Sequence, residues 1–337
     1  MRRVVLGFSG GVDSSVAAAL LREAGWEVLC LYLETGSGEE AAARAAADAL
    51  GLPLAVYDAR AELEKYVCAP FAAAYARGET PSPCVMCNPS VKLRLLLEYA
   101  GGQGAEAIAT GHYARAEGGA LYMGRLPNDQ SYMLCRILPE QRRRLLLPLG
   151  GYEKREVRAL AAALGLPSAQ KDDSMELCFV PDGDFAAWIE RRGGAPGPGP
   201  LIYGGRVVGE HRGIHRYTLG QRRGLGFAAG RRVFVSDIDP QRNSVTLADG
   251  DGLFAREVTA LDARWQLDAV PDGPFRCLAR IRHSRSAALA VCRAEGARLG
   301  ITFDEPQRAP TPGQAAAVYL PDGRLAAGGV IARGAGT

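Results

Sequence analysis

Apolar runs alternate with helical patterns along the first 110 residues. Residues 3–8 read as a buried strand, 14–24 as a helix with apolar positions three and four apart, and 26–34 as a second strand. An Ala-rich helix over 39–50, a strand over 54–58, helical spacing over 62–77 and 91–99, and a fourth strand over 107–110 follow. Strands separated by helices of this length predict a parallel sheet covered on both faces. Helical patterns return at 140–144 and at 154–164, where Gly165 ends the second.

At 191–200 the pattern breaks. Arg-Arg-Gly-Gly-Ala-Pro-Gly-Pro-Gly-Pro is incompatible with helix or central strand and marks a domain boundary. Beyond it, short strand-like segments are divided by turn signals such as Pro240-Gln241-Arg242-Asn243, Pro271-Asp272-Gly273-Pro274 and Pro321-Asp322-Gly323. That spacing suits small all-β modules. The expected fold is therefore α/β: a parallel-sheet nucleotide-binding domain over 1–192, a β-rich module over 193–257, and a C-terminal β-barrel over 258–334.

Charge sharpens this division. Residues 1–190 carry 19 basic and 24 acidic side chains, and residues 191–337 carry 21 and 13. Residues 191–232 alone hold nine Arg and one acid, Glu210, which predicts a polyanion-facing segment, with a solvated basic face as the plainer alternative. No stretch approaches the roughly 20 apolar residues of a membrane span. The N-terminal apolar run is also too short for a secretory signal, so a cytoplasmic protein without membrane attachment is expected. In that compartment eight cysteines point away from a disulfide framework. Of Cys30, Cys68, Cys84, Cys87, Cys135, Cys178, Cys277 and Cys292, the residues Cys30, Cys135, Cys277 and Cys292 lie in apolar or alternating runs and read as core, and Cys84, Cys87 and Cys178 are the chemically interesting thiols.

Phe8-Ser9-Gly10-Gly11-Val12-Asp13-Ser14-Ser15 ends the first strand and opens the first helix. Two glycines permit a tight turn with successive N–H groups exposed, the helix N-terminus adds partial positive charge, and Ser hydroxyls add donors. The product is a phosphate cradle. It lacks the Gly-Lys-Ser/Thr of a Walker A loop and the Gly-x-Gly-x-x-Gly of dinucleotide folds.

The full Ser-Gly-Gly-Val-Asp-Ser string resembles the pyrophosphate loop (PP-loop) of the ATP pyrophosphatases, which split ATP between the α and β phosphates and adenylate a substrate oxygen. Further landmarks are Thr80-Pro81-Ser82-Pro83-Cys84-Val85-Met86-Cys87-Asn88, Thr110-Gly111-His112-Tyr113, Asn128-Asp129-Gln130-Ser131-Tyr132, Asp173-Ser174-Met175-Glu176-Leu177-Cys178-Phe179, Tyr217-Thr218-Leu219-Gly220-Gln221 and Thr311-Pro312-Gly313-Gln314. In this order the chain resembles the bacterial tRNA-specific 2-thiouridylase family from end to end. The resemblance implies a sulfurtransferase that uses ATP with Mg2+ to adenylate the 2-oxygen of the wobble uridine in tRNAs for Lys, Glu and Gln. Sulfur from a persulfide-carrying protein, or free sulfide, then displaces AMP.

Carried over by position, Gly7, Phe8, Ser9, Gly10, Gly11, Val12, Asp13, Ser14, Leu33 and Gly111 would contact ATP, with Asp13 handling the Mg-bound phosphates. Cys178 would carry the persulfide and Cys87 would be the second catalytic cysteine. Ser82, Pro83, Cys84, His112, Asn128, Asp129, Gln130, Arg282, His283 and Gln314 would touch tRNA. Cys84 makes a Cys-x-x-Cys with Cys87. Together with Cys178 it leaves three options: persulfide exchange, a four-iron four-sulfur cluster with one open iron, or zinc. Two other functions share the loop: an adenylating ligase for a non-RNA substrate, and a noncatalytic RNA-binding descendant. A ligase needs neither the cysteine pair nor the basic segment, and the intact phosphate loop argues against the descendant.

Overall fold

A computed structural model describes residues 2–170, 177–282 and 286–334. Its first seven strands are β1 (Arg3–Gly7), β2 (Glu27–Glu34), β3 (Leu54–Asp58), β4 (Ala107–Ala109), β5 (Ala114–Glu117), β6 (Ala120–Met123) and β7 (Leu145–Leu146). β5 and β6 pair as a hairpin, and the other five form a parallel sheet in the order β3-β2-β1-β4-β7. Val4, Val5 and Leu6 of the central strand are fully buried, which explains why β1 reads as an unbroken apolar run.

The helices used below are α1 (Val12–Glu23), α2 (Glu40–Leu50), α3 (Ala69–Ala76), α4 (Pro83–Cys87), α5 (Leu93–Gly102), α6 (Lys154–Ala163) and α7 (Phe185–Arg191). On one face of the sheet, Val16, Ala17 and Leu21 of α1, Ala43 and Ala47 of α2 and Val157 and Ala161 of α6 share a core. On the other, Leu93, Leu96 and Ala100 of α5 pack against Val5 and Ile108. The helix expected over 62–77 is interrupted by a π turn at Glu64–Cys68. The one expected over 91–99 begins earlier, at Pro83, and passes through a second π turn at Asn88–Lys92. Proline fits the first turn of a helix because its missing N–H has no partner there. π turns concentrate at functional sites, and both of these adjoin cysteines.

The chain lays β2 and β3 to one side of β1 and then crosses to place β4 on the other. This reversal opens a crevice at the carboxyl ends of β1 and β4, the place where open α/β sheets bind ligands. The sheet thus sets the site's position.

The central module is a four-stranded sheet of β8 (Gly199–Tyr203), β9 (Arg206–His211), β10 (Val233–Asp239) and β11 (Ser244–Asp249), ordered β10-β11-β8-β9. It corrects the reading of 191–200 at both ends. α7 runs through Arg191, and Gly199 and Pro200 begin β8, which is central in its sheet. Proline is tolerated because at Pro200 the strand pairs only with β9; pairing with β11 starts at Leu201.

The last six strands, β12 (Phe254–Trp265), β13 (Phe275–Arg280), β14 (Ala288–Glu295), β15 (Arg298–Arg308), β16 (Ala315–Tyr319) and β17 (Leu325–Ile331), close into the expected barrel. Its wall is fused to the first domain. Ala315, Ala317, Tyr319 and Leu325 share one core with Tyr132, Leu134 and Cys135. The Tyr132 hydroxyl donates to the Ala315 carbonyl at 2.8 Å, and the Ser131 and Tyr319 hydroxyls bond at 2.9 Å. Residues 80–82 meet all three units: Thr80 N–H donates to the Pro312 carbonyl at 2.8 Å, and its hydroxyl lies 3.2 Å from that of Thr218. No helix among the described residues is long and apolar enough to cross a membrane.

Candidate active site

The phosphate loop leaves β1 at Gly7 and turns through Gly10, whose φ of +74° is a left-handed conformation that favours glycine. A Cβ there would also lie 2.5 Å from the Ala43 Cα, so α2 and the loop could not approach as they do. The turn is pinned internally, with the Ser14 hydroxyl donating to the Gly11 carbonyl at 3.1 Å and lying 3.3 Å from Ser9 Oγ. No side chain caps α1, which leaves the first-turn N–H groups for a ligand. Phe8 and Val12 are buried, so only their backbone faces the crevice. Gly111, at the end of β4, closes the other wall; a Cβ on it would sit 3.1 Å from the Asp13 carbonyl carbon.

Asp13 is the most heavily engaged side chain here. Lys154 Nζ, from the first turn of α6, donates to both its carboxylate oxygens at 2.7 and 2.8 Å, and the Tyr113 hydroxyl donates to Oδ1 at 2.6 Å. An ammonium, a carboxylate and a run of free N–H groups thus converge on one cradle. This donor set fits a nucleotide triphosphate with its divalent cation: backbone and Lys154 for the phosphates, Asp13 for the cation.

Beyond Gly111 a second cluster of side chains begins at His112. His112 is 8% exposed and bonds Thr110 Oγ1 through Nδ1 at 2.8 Å. Burial, with Lys92 adding repulsion, lowers its pKa to about 3, so it is a neutral ring in this site. Lys92, on the π turn after Cys87, also draws the Cys87 and Cys178 thiols downward. Burial outweighs that pull and pushes Cys87 up to about 11. Cys178 is raised by the same cause, with the neighbouring Cys84 thiol adding to it. Cys84 is exposed and Cys87 is half-buried. The segment carrying Cys178 is anchored by Phe179, which packs edge-on to Phe71 at 5.3 Å and against Trp188 at 5.2 Å. Asn88 holds α4 from below by donating to the Met133 carbonyl at 2.9 Å.

The three thiols influence one another electrostatically but do not gather into a ligand set. Among the described residues no group of three or more His, Cys, Asp or Glu side chains could hold a metal ion. An iron–sulfur or zinc centre on Cys84, Cys87 and Cys178 therefore has no support in this arrangement.

Of the positions expected to meet RNA, Asn128 and Gln130 are half-buried near the crevice, Ser82 lies at the three-way junction, and Pro83 starts α4. Gln314 is half-buried with Oε1 shielded and unpaired, an acceptor that a ligand could satisfy. Arg282 lines a cavity of ≈ 210 Å³ at the barrel's end with Gln307 and Arg308. Asp129 is different. Only 4% exposed, it is enclosed by Arg280, Ser131 and Gly124, and its side chain points into protein. His283 lies outside the described residues, as do residues 173–176 of the segment before Cys178.

In the basic segment, Arg206, Arg212, Arg222, Arg223 and Arg232 are exposed and in no ion pair among the described residues. Arg216 instead makes a two-pronged pair with Glu190 at 2.8 and 2.6 Å.

Sequence reasoning missed Lys92, Tyr113 and Lys154. The available signal was compositional. Thirty-six of the 40 basic residues are Arg, so a Lys is unusual here, and two of the four Lys stand at these two sites.

Comparison with known proteins bears on the whole chain. Residues 2–182 match the family described as "tRNA methyl transferase HUP domain", 190–249 the "tRNA methyl transferase PRC-barrel domain", and 255–331 the "Aminomethyltransferase beta-barrel domain". The chain is 42% identical over 358 residues to the tRNA-specific 2-thiouridylase MnmA of Chloroflexus aurantiacus, covering 99% of both chains. It is 44% identical to that of Sorangium cellulosum, covering 98% of this chain and 92% of the other. For Moorella thermoacetica the figures are 43%, 96% and 98%. Among solved structures, a 4-thiouridine synthetase–RNA complex with bound ATP is 19% identical at a TM-score of 0.36, over 57% of this chain and 50% of that one.

Proposed function

Since the chain belongs to the tRNA-specific 2-thiouridylase MnmA family, we propose that it uses ATP to replace the 2-oxygen of the wobble uridine with sulfur in tRNAs for Lys, Glu and Gln. The observation that carries this reading is the link between the phosphate loop and the thiols. Gly111 abuts Asp13, His112 follows Gly111 in the chain, and Lys92 acts electrostatically on both His112 and Cys87.

The uridine 2-oxygen attacks the α phosphorus of ATP, the bond to the β phosphate breaks, and pyrophosphate leaves. Lys154 and the α1 N–H groups hold the departing phosphates, and Asp13 would hold a divalent cation that would supply charge neutralisation to them. The ring carbon now bears AMP, a far better leaving group than a carbonyl oxygen. The outer sulfur of a Cys178 persulfide attacks that carbon and AMP departs. Cys87 then attacks the inner sulfur of Cys178, the electron pair of the broken S–S bond stays on the product as 2-thiouridine, and a Cys87–Cys178 disulfide remains for an external thiol reductant to open. Burial raises both thiols, and Lys92 is the cation that favours their anions. The neutral His112 can hydrogen-bond a base edge but brings no charge to phosphate. The exposed Arg222 and Arg223 face the polyanion.

The test is incubation with ATP, unmodified tRNA and a persulfide donor, followed by nucleoside mass analysis and AMP measurement. Equimolar AMP and 2-thiouridine are expected. AMP release that depends on an amine and ignores tRNA would overturn the reading in favour of a ligase.

A further inference from the structure

Asp129 lies in a loop whose resemblance-based role was RNA contact, yet its carboxylate is spent inside the protein. Oδ1 accepts the Gly124 and Ser131 N–H groups at 2.7 and 3.1 Å, and Oδ2 accepts the Ser131 hydroxyl at 3.0 Å and Arg280 Nη1 at 2.6 Å. Both partners of this interdomain ion pair are almost wholly buried, with side chains 5% and 2% exposed. Arg280 ends β13 of the barrel, two residues before Arg282 and the Arg-lined cavity.

The next residue carries the connection inward. Gln130 N–H donates to the Tyr113 carbonyl at 2.8 Å, and Tyr113 N–H returns a bond to Gln130 Oε1 at 3.1 Å. The Tyr113 hydroxyl then reaches Asp13 of the phosphate loop at 2.6 Å. One unbroken series of bonds runs from the barrel to the ATP site.

From this geometry we propose that Tyr113 and Arg280 are positioning residues: the series Arg280–Asp129–Gln130–Tyr113–Asp13 lets RNA seated at the barrel fix the phosphate loop for adenylation. A buried ion pair is a poor way to gain stability, because desolvation cancels most of its attraction, but it tolerates only one relative placement of its two segments. Here those segments are the β13 end beside Arg282 and the loop holding Asn128 and Gln130. RNA touching both would be held in one register, and Tyr113 would transmit that register to Asp13, the carboxylate that holds Lys154 in place at the phosphate loop. Contiguous bonded networks of this kind can carry free-energy coupling between sites. The inference rests on the RNA-thiolation reading above.

The experiment measures binding of an ATP analogue with a non-cleavable α–β bridge, with and without unmodified tRNA, on the full chain. In wild type, tRNA should tighten the analogue by roughly fivefold or more, the lower end of ordinary allosteric coupling, and the analogue should tighten tRNA by the same factor. Arg280→Gln and Tyr113→Phe should each bring that factor below about twofold. Arg280→Gln should leave analogue affinity without tRNA unchanged, because it lies at the far end of the series. If Arg280→Gln fails to fold, Tyr113→Phe, which deletes one hydroxyl, decides alone. Full coupling in Tyr113→Phe, or none in a wild type that binds tRNA, overturns the inference. A wild type that neither binds tRNA nor makes 2-thiouridine overturns the underlying reading as well, so the two failures are distinguishable.

Discussion

The phosphate loop is drawn from the consecutive residues 7–14, whereas the thiol cluster takes Cys84, Cys87 and Lys92 from one segment, His112 from another and Cys178 from a third. Their electrostatics differ as much as their construction. The loop presents open N–H groups and an ammonium–carboxylate pair, a set of charges already in place for a polyphosphate. The cluster is apolar enough to keep His112 neutral and to push Cys87 up to about 11. Under the proposed function, adenylation would meet a preorganised site, while sulfur transfer would meet thiols that must first be loaded with sulfur. The contrast predicts that damage to the two regions separates cleanly.

The largest effect belongs to the loop. Asp13→Ala or Lys154→Met should reduce AMP formation by about 10²- to 10³-fold, the usual cost of deleting one preorganised charge partner of a transition state. Thiolation should fall in parallel while tRNA affinity stays within about twofold, since the basic segment lies elsewhere. Equal loss of tRNA binding would show that Asp13 holds the fold together.

Changes in the thiol cluster should spare the first half-reaction. Cys87→Ser and Cys178→Ser should each abolish 2-thiouridine while AMP formation stays within a few-fold of wild type, measured on the same tRNA. Cys84→Ser should keep substantial thiolation, because neither sulfur step above passes through Cys84. Three equally dead cysteine variants, with iron and sulfide in anaerobically purified wild type, would contradict both the persulfide mechanism and the thiol arrangement described here.

Legibility in the sequence followed the same divide. The parallel sheet and the phosphate loop were readable because β1, the glycine turn and α1 are set by adjacent residues. The barrel was readable because its turns punctuate it. Lys154 and Tyr113 were invisible because they meet Asp13 only after the sheet brings chain positions 13, 113 and 154 together. Asp129 was opaque for a related reason. Nothing local says that its carboxylate turns inward to an Arg on β13. The π turns at Glu64–Cys68 and Asn88–Lys92 also escaped, since an inserted residue leaves helical spacing almost unchanged over so short a segment.

A smaller effect distinguishes arginines that face solvent from those already paired. Replacing Arg222 and Arg223 together by Ala should shallow the salt dependence of tRNA binding by roughly one to two units of slope, one for each phosphate no longer neutralised. Arg216→Ala should leave that slope unchanged, because its guanidinium is committed to Glu190. Equal shifts from both would mean that the Glu190 pair opens when RNA binds.

The smallest effect tests how dry the joint between the two regions is. His112 has a folded pKa lowered from 6.5 to about 3, chiefly by burial and secondly by Lys92. Above pH 6.5 the ring is neutral in both folded and unfolded chains and contributes no pH dependence. Between pH 6.5 and 3 the unfolded chain binds a proton that the folded one refuses, so stability must fall as pH falls, by roughly 1.4 kcal/mol per unit. His112→Gln keeps a hydrogen-bonding group for Thr110 but cannot take up that proton. Denaturant unfolding at about pH 7 and about pH 5 should therefore show wild type losing about 2 kcal/mol more than the variant. His211, also lowered by burial, is common to both proteins and cancels. Identical losses would mean that water reaches the His112 ring and that the cluster beside the phosphate loop is more polar than its packing implies.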